Sequence, residues 1–219
     1  MFHLRRSIVY LTSFFTILTS SLTAQEQPEA WSEKPRDPQA RVTPYSETPH
    51  ALRNLNRDPD PVIAAMVNAV SADTLRARLQ ELQDWGTRFT MDENNREVAV
   101  SLLDRFKSYG YTDVKLDSFF LVLYNWYGIT DSAWQFNVIC TLTGASAPDE
   151  IYVVGGHYDS YSPQIAAHNA PGVDDNGSAV AATLEIARVM KQAGYQPQAT
   201  IQFILFAAEE VGLKGSEVA

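Results

Sequence analysis

Residues 151–154 (Ile-Tyr-Val-Val) and 201–206 (Ile-Gln-Phe-Ile-Leu-Phe) are short, largely apolar runs rich in β-branched and aromatic side chains. Each reads as a strand buried on both faces. Between them, residues 176–193 carry a helical repeat in which Val180, Leu184, Ala187 and Met190 share one side and Gly194 ends the helix. A buried strand, an amphipathic helix and a second buried strand restrict the chain to an α/β fold. The expected architecture is a mixed, largely parallel central sheet flanked by helices.

The segments upstream fit that frame. Residues 62–70 suggest a short helix. Ser71 is placed to cap a second one, with Asp73 in its first turn and Leu75, Leu79 and Leu82 on one face, and Trp85-Gly86 ends it. A third helix is expected over 95–109, with Val98, Leu102 and Phe106 as its stripe and Gly110 at its C-terminal turn. Val114 and Leu116, then Phe136, Val138, Cys140 and Leu142, alternate with other residues as strands do. Tyr124, Trp126, Tyr127 and Trp134 form an aromatic cluster that could pack in a core or line a pocket.

In open α/β sheets, functional groups collect where strands end. Residues 151–154 run into Gly155-Gly156-His157-Tyr158-Asp159-Ser160, and residues 201–206 run into Ala207-Ala208-Glu209-Glu210. Pro171-Gly172-Val173-Asp174-Asp175-Asn176-Gly177 opens the intervening helix. One sheet edge would bring these three clusters together. His157 is a candidate metal ligand, and Asp159, two residues on, could orient its ring. Asp174 could bridge two cations, since a carboxylate offers two oxygens with about four lone-pair sites. Of the adjacent Glu209 and Glu210, one could bind metal while the other takes a proton from a water. Singly, each cluster also has a structural reading: a packed histidine, a helix-capping turn, a solvated acidic pair. Their joint placement at strand ends favours the metal reading, because a buried strand leading into two carboxylates calls for a partner.

The formal net charge of −9, with no Lys/Arg stripe, excludes a nucleic-acid surface and argues against anionic membranes. The single cysteine, Cys140, excludes an internal disulfide and a Cys-rich zinc site, and reads as a small buried hydrophobe. Arg5 and Arg6 precede an apolar stretch over 7–22, and Leu22-Thr23-Ala24 resembles a cleavage site before Gln25. The expected organisation is a signal peptide over 1–24, a Pro-rich arm over 25–60, and a domain over 61–219. Delivery would be secreted or periplasmic, with no membrane contact after cleavage.

The three clusters, residues 155–160, 171–178 and 207–216, resemble the M28 family of zinc metallopeptidases, of the bacterial leucyl aminopeptidase type. Gly86-Thr87-Arg88 adds a weaker likeness near the front of the domain. The resemblance implies two Zn2+ ions, with His157 on one, Glu210 on the other and Asp174 bridging. It makes Glu209 the general base, Asp159 the support for His157, and Asp174-Asp175 the site of a cis peptide bond. It implies an aminopeptidase that hydrolyses N-terminal residues from peptides with a two-zinc-activated water. The family's site needs a further Asp and His later in the chain, and this sequence stops at Ala219. The chain is therefore expected to be the N-terminal part of a longer enzyme and inactive alone. His168, the one spare histidine in the expected folded part, is not expected to substitute. The alternatives are a one-zinc acyltransferase like glutaminyl cyclase, or a metal-free peptide-binding module.

Overall fold

The computed structural model describes residues 7–8, 60–163 and 169–219. Apart from Ser7, Ile8 and Asp60, the expected signal peptide and arm lie outside the described residues, as does His168.

Three helices precede the long strands: α1 (Pro61–Asn68), α2 (Ala72–Asp84) and α3 (Asn95–Ser108). Ser71 caps α2 as expected, its hydroxyl accepting from the Thr74 N–H, and Gly86 and Gly110 follow α2 and α3 with positive φ. Val98, Leu102 and Phe106 are buried along the α3 stripe. The strands are β1 (Ser7–Ile8), β2 (Val114–Trp126), β3 (Ile129–Leu142), β4 (Ala147–His157) and β5 (Ala199–Phe206). A kinked turn over Val173–Gly177 leads into α4 (Ser178–Gln192), and α5 (Lys214–Val218) follows β5.

The sheet order is β1-β4-β5-β3-β2. β1, β4 and β5 run parallel, while β3 pairs antiparallel with both β5 and β2. The sheet is mixed, with its parallel part confined to that side. The separate short strands read from the alternation are one long hairpin, β2–β3, in which Phe120 faces Trp134 across the ladder. Its aromatics divide by position. Trp126 packs with Phe89 and Tyr161, whereas Tyr124, Tyr127 and Trp134 are exposed.

α3 packs on β2 and β3, α4 on β4, and α2 on α4. Val180, Leu184 and Ala187 of α4 are fully buried, and Met190 packs against the same core. Burial of each Val or Leu of this kind contributes about 1.5–3 kcal/mol. Phe203 and Leu205 of β5 join that core, while Ile204 and Phe206 pack on the opposite face with Ile139. β5 is thus buried on both faces, as its sequence suggests. β4 is not, because Tyr152 is nearly half exposed. Cys140 is buried, and burial pushes its thiol up to about 12.

Candidate metal centre

The parallel register of β4 and β5 sets His157 beside Phe206, so both strands deliver their next residues to one sheet edge. After Phe206 the chain turns at once, because Ala208 adopts a left-handed conformation with φ of 55°. For a residue with a Cβ this costs on the order of 1–2 kcal/mol. The turn aims the Glu209 and Glu210 N–H groups at Asp159, donating to Oδ1 at 3.0 Å and Oδ2 at 3.1 Å. Hydrogen bonds to a charged group are worth about 1.5–3 kcal/mol each, enough to offset the strained turn. Thr90 Oγ1 donates to the same carboxylate at 3.1 Å, and Asp159 is buried.

His157 is buried at the floor of this edge. Its Nδ1 lies 3.1 Å from the Asp159 carbonyl oxygen and 3.5 Å from Asp159 Oδ1. Its Nε2 lies 3.0 Å from Asp175 Oδ1 and 3.5 Å from Glu209 Oε2. Asp159 therefore lies against Nδ1 and leaves Nε2 facing the carboxylates. Close approach of α4 depends on Gly156, where an added Cβ would sit 2.6 Å from Ala179 Cβ.

The structure brings Asp175, rather than the expected bridging carboxylate Asp174, to this cluster. Asp174 is exposed, and its carbonyl accepts from Ser178 Oγ as part of the helix entry. Asp175 is the residue that reaches His157. Its φ of −109° and ψ of 104° are extended inside an otherwise tight turn, which swings the side chain towards the strand ends. The cis peptide bond likewise lies between Asp175 and Asn176, not between Asp174 and Asp175. Ligand atoms of His157, Asp175 and Glu210 all lie within 4.8 Å of one another.

The crowding of carboxylates makes this cluster hold its protons tightly. Burial opposes protonation of His157, but the hydrogen bond and charge of Asp159, with the charges of Glu209 and Asp175, together push it up to about 9. Burial, then the charges of Asp159 and Asp175, push the Glu210 carboxyl up to about 7. Burial also raises Glu209. One imidazole and two carboxylates make a donor set that zinc accepts, so the residues present fit that ion.

Beneath the site lies a polar layer that sequence reading passed over. Gln135 and Asn137 are almost wholly buried on β3. Gln135 Nε2 donates to the Thr90 carbonyl at 2.7 Å. Asn137 Oδ1 accepts from the Ala207 N–H at 3.0 Å, and Nδ2 donates to the Gly215 carbonyl at 2.8 Å. Asn137 thereby pins both ends of the loop that carries Glu209 and Glu210. The sequence carries little signal for them, because they alternate with Phe136 and Val138 as solvent-facing strand residues would.

An imidazole and two carboxylates at the edge of a mixed α/β sheet make a candidate cation site. Residues 137–219 match the family described as Peptidase family M28. A probable zinc metalloprotease of Pyrenophora teres f. teres is 33% identical over 172 residues, covering 73% of this chain and 37% of the relative. LapB from Legionella pneumophila superposes with a TM-score of 0.55 at 27% identity, covering 74% of this chain and 41% of that one. A Zn-dependent exopeptidase from Parabacteroides distasonis gives 0.51 at 27%, covering 64% and 47%. A Tannerella forsythia glutaminyl cyclase shares the fold, with a TM-score of 0.51 at 24% identity over 63% of this chain and 46% of that one. The chain spans well under half the length of the curated relatives it matches.

Proposed function

We propose that this chain contributes the metal centre of a zinc exopeptidase that removes N-terminal residues from peptides. The observation that carries the reading is the convergence of His157, Asp175 and Glu210, with Glu209 alongside, at the β4 and β5 ends. His157 and Asp175 would hold one zinc, and Asp175 and Glu210 a second. When bound, the metal supplies a Lewis acid that polarises the scissile carbonyl and makes water nucleophilic at neutral pH.

The protein's own groups do the rest. Asp159 fixes the His157 ring and, through two backbone N–H groups, the direction of both glutamates. Glu209, partly exposed and raised by burial, takes the proton of the attacking water and delivers it to the leaving amine. The surrounding carboxylates suit the ammonium of a free N-terminus. In the full-length enzyme, Glu209→Gln is expected to reduce release of the N-terminal residue from a leucyl peptide by about 100- to 10,000-fold with zinc content unchanged. Retained activity, or lost zinc, refutes the assignment.

A second reading draws on the same cluster. His157, Asp175 and Glu210 together could close around a single ion, as in a one-zinc glutaminyl cyclase. One zinc per chain, with ammonia released from an N-terminal Gln peptide, would select that reading. Two zincs with a free amino acid as product select the exopeptidase. We also propose that residues 1–24 direct the protein to a secreted or periplasmic location. A mature N-terminus other than about Gln25 would count against this.

A further inference from the structure

Arg88 is 1% exposed, and among the described residues its guanidinium bonds to main-chain carbonyls. Nε donates to Tyr158 at 2.7 Å. Nη1 donates to Leu82 at 2.8 Å and Pro171 at 2.7 Å, and Nη2 donates to Gly172 at 2.9 Å. These partners belong to three separate segments: the α2 C-terminal turn, the residue between His157 and Asp159, and the loop that leads to Asp175. Burying a guanidinium is costly unless its donors are satisfied. The fork geometry satisfies them in one plane, as a lysine's point charge could not.

The loop closes on the same atoms. The Gly172 carbonyl that accepts from Arg88 also accepts the Gly177 N–H at 2.9 Å, so the turn holding Asp174, Asp175 and Asn176 is anchored at its base by the guanidinium. Gly172 has φ of 45°, and a Cβ there would meet Ser160 Cβ at 2.5 Å and the Asp175 carbonyl at 2.6 Å. The backbone adds to the tie. The Arg88 N–H donates to Ser160 Oγ at 3.0 Å, the Ser160 N–H returns to the Arg88 carbonyl at 3.2 Å, and Ser160 Oγ donates to Ala170.

We infer that Arg88 is the positioning residue of the metal centre: its guanidinium sets the spacing between the β4 end, which carries His157, and the loop that carries Asp175. It acts through the carbonyls of residues next to the candidate ligands. The inference rests on the metal reading above, and a measurement independent of metal separates the two.

Arg88→Lys keeps the charge and loses the fork. In the folded variant, hydrogen exchange of peptides covering 169–178 is expected to accelerate while that of 201–206 stays as in wild type. Co2+ affinity, followed by visible absorption, is expected to fall by about 10- to 100-fold, with a changed ligand-field spectrum. Unchanged affinity and spectrum overturn the inference. So does exchange that rises uniformly, or a variant that fails to fold even in saturating Zn2+, since each makes Arg88 a residue of general stability. If wild-type protein binds no Co2+, the metal reading fails, and the exchange pattern alone decides whether Arg88 holds the loop.

Discussion

Asn137→Ala removes both anchors of the loop bearing the glutamates and leaves two buried main-chain groups, the Ala207 N–H and the Gly215 carbonyl, without partners. A buried polar group stripped of its partner costs about 1–3 kcal/mol, so the two together amount to about 2–6 kcal/mol. Against a typical total stability of about 5–15 kcal/mol, that loss is large. Urea unfolding followed by tryptophan fluorescence measures it: the midpoint should fall with little change in slope. Asn137→Asp supplies a matched comparison. It keeps the acceptor for Ala207 but turns an oxygen towards the Gly215 carbonyl. Burial and that carbonyl raise its folded pKa, so its penalty should be small in acid, where the protonated carboxyl can still donate, and should grow as pH rises. A loss below about 1 kcal/mol for Asn137→Ala, the size of an ordinary exposed hydrogen bond, refutes the clamp.

Other expectations follow from the site. Asp175→Asn should weaken Co2+ binding by at least about tenfold, whereas Asp174→Asn should leave it within about twofold, as judged by the cost of disturbing even outer-sphere groups; the reverse order would restore Asp174 as the ligand. The pH dependence of the metal-free protein has a definite sign. His157 is raised from 6.5 to about 9, so its stabilising contribution is full below about 6.5 and lost as pH rises through about 9. Glu210, raised from 4.5 to about 7, likewise loses its contribution as pH rises through about 7. Thermal unfolding of metal-free protein should therefore shift to lower temperature between about pH 5 and about pH 9, and zinc affinity should rise over that range as protons are displaced. A flat profile in both would show that these groups are not coupled as the geometry implies.

Much of this architecture could be read from local pattern. Ser71 before a polar first turn, the Val180-Leu184-Ala187 stripe and the apolar run over 201–206 each state a period that the fold keeps. The strand ends then follow, and with them His157, Asp159, Glu209 and Glu210. What escaped depends on backbone detail or on distant partners. Asp174 and Asp175 are chemically identical neighbours, and only the extended backbone at Asp175 decides which of them faces the histidine. Thr90, Gln135 and Asn137 look like surface residues until the fold sets them against carbonyls and carboxylates dozens of positions away. The continuous β2–β3 hairpin was obscured because its outer half presents Phe120, Tyr124 and Trp134 to solvent, so the expected inward apolar alternation fails there.

The shared carboxylate of Asp159 has a consequence for how this site can vary. One side chain serves the histidine, the backbone of both glutamates and Thr90, so the effects of changes at these positions should not add. A substitution at Asp159 would already remove most of what a second change at Thr90 could take away. Conversely, a variant in which Glu209 and Glu210 are shifted by one position would demand a compensating change at Asp159 before either could be tested on its own merits. The ligands and their supports thus form a single unit of variation, and a lineage or a library can be expected to keep or abandon them together.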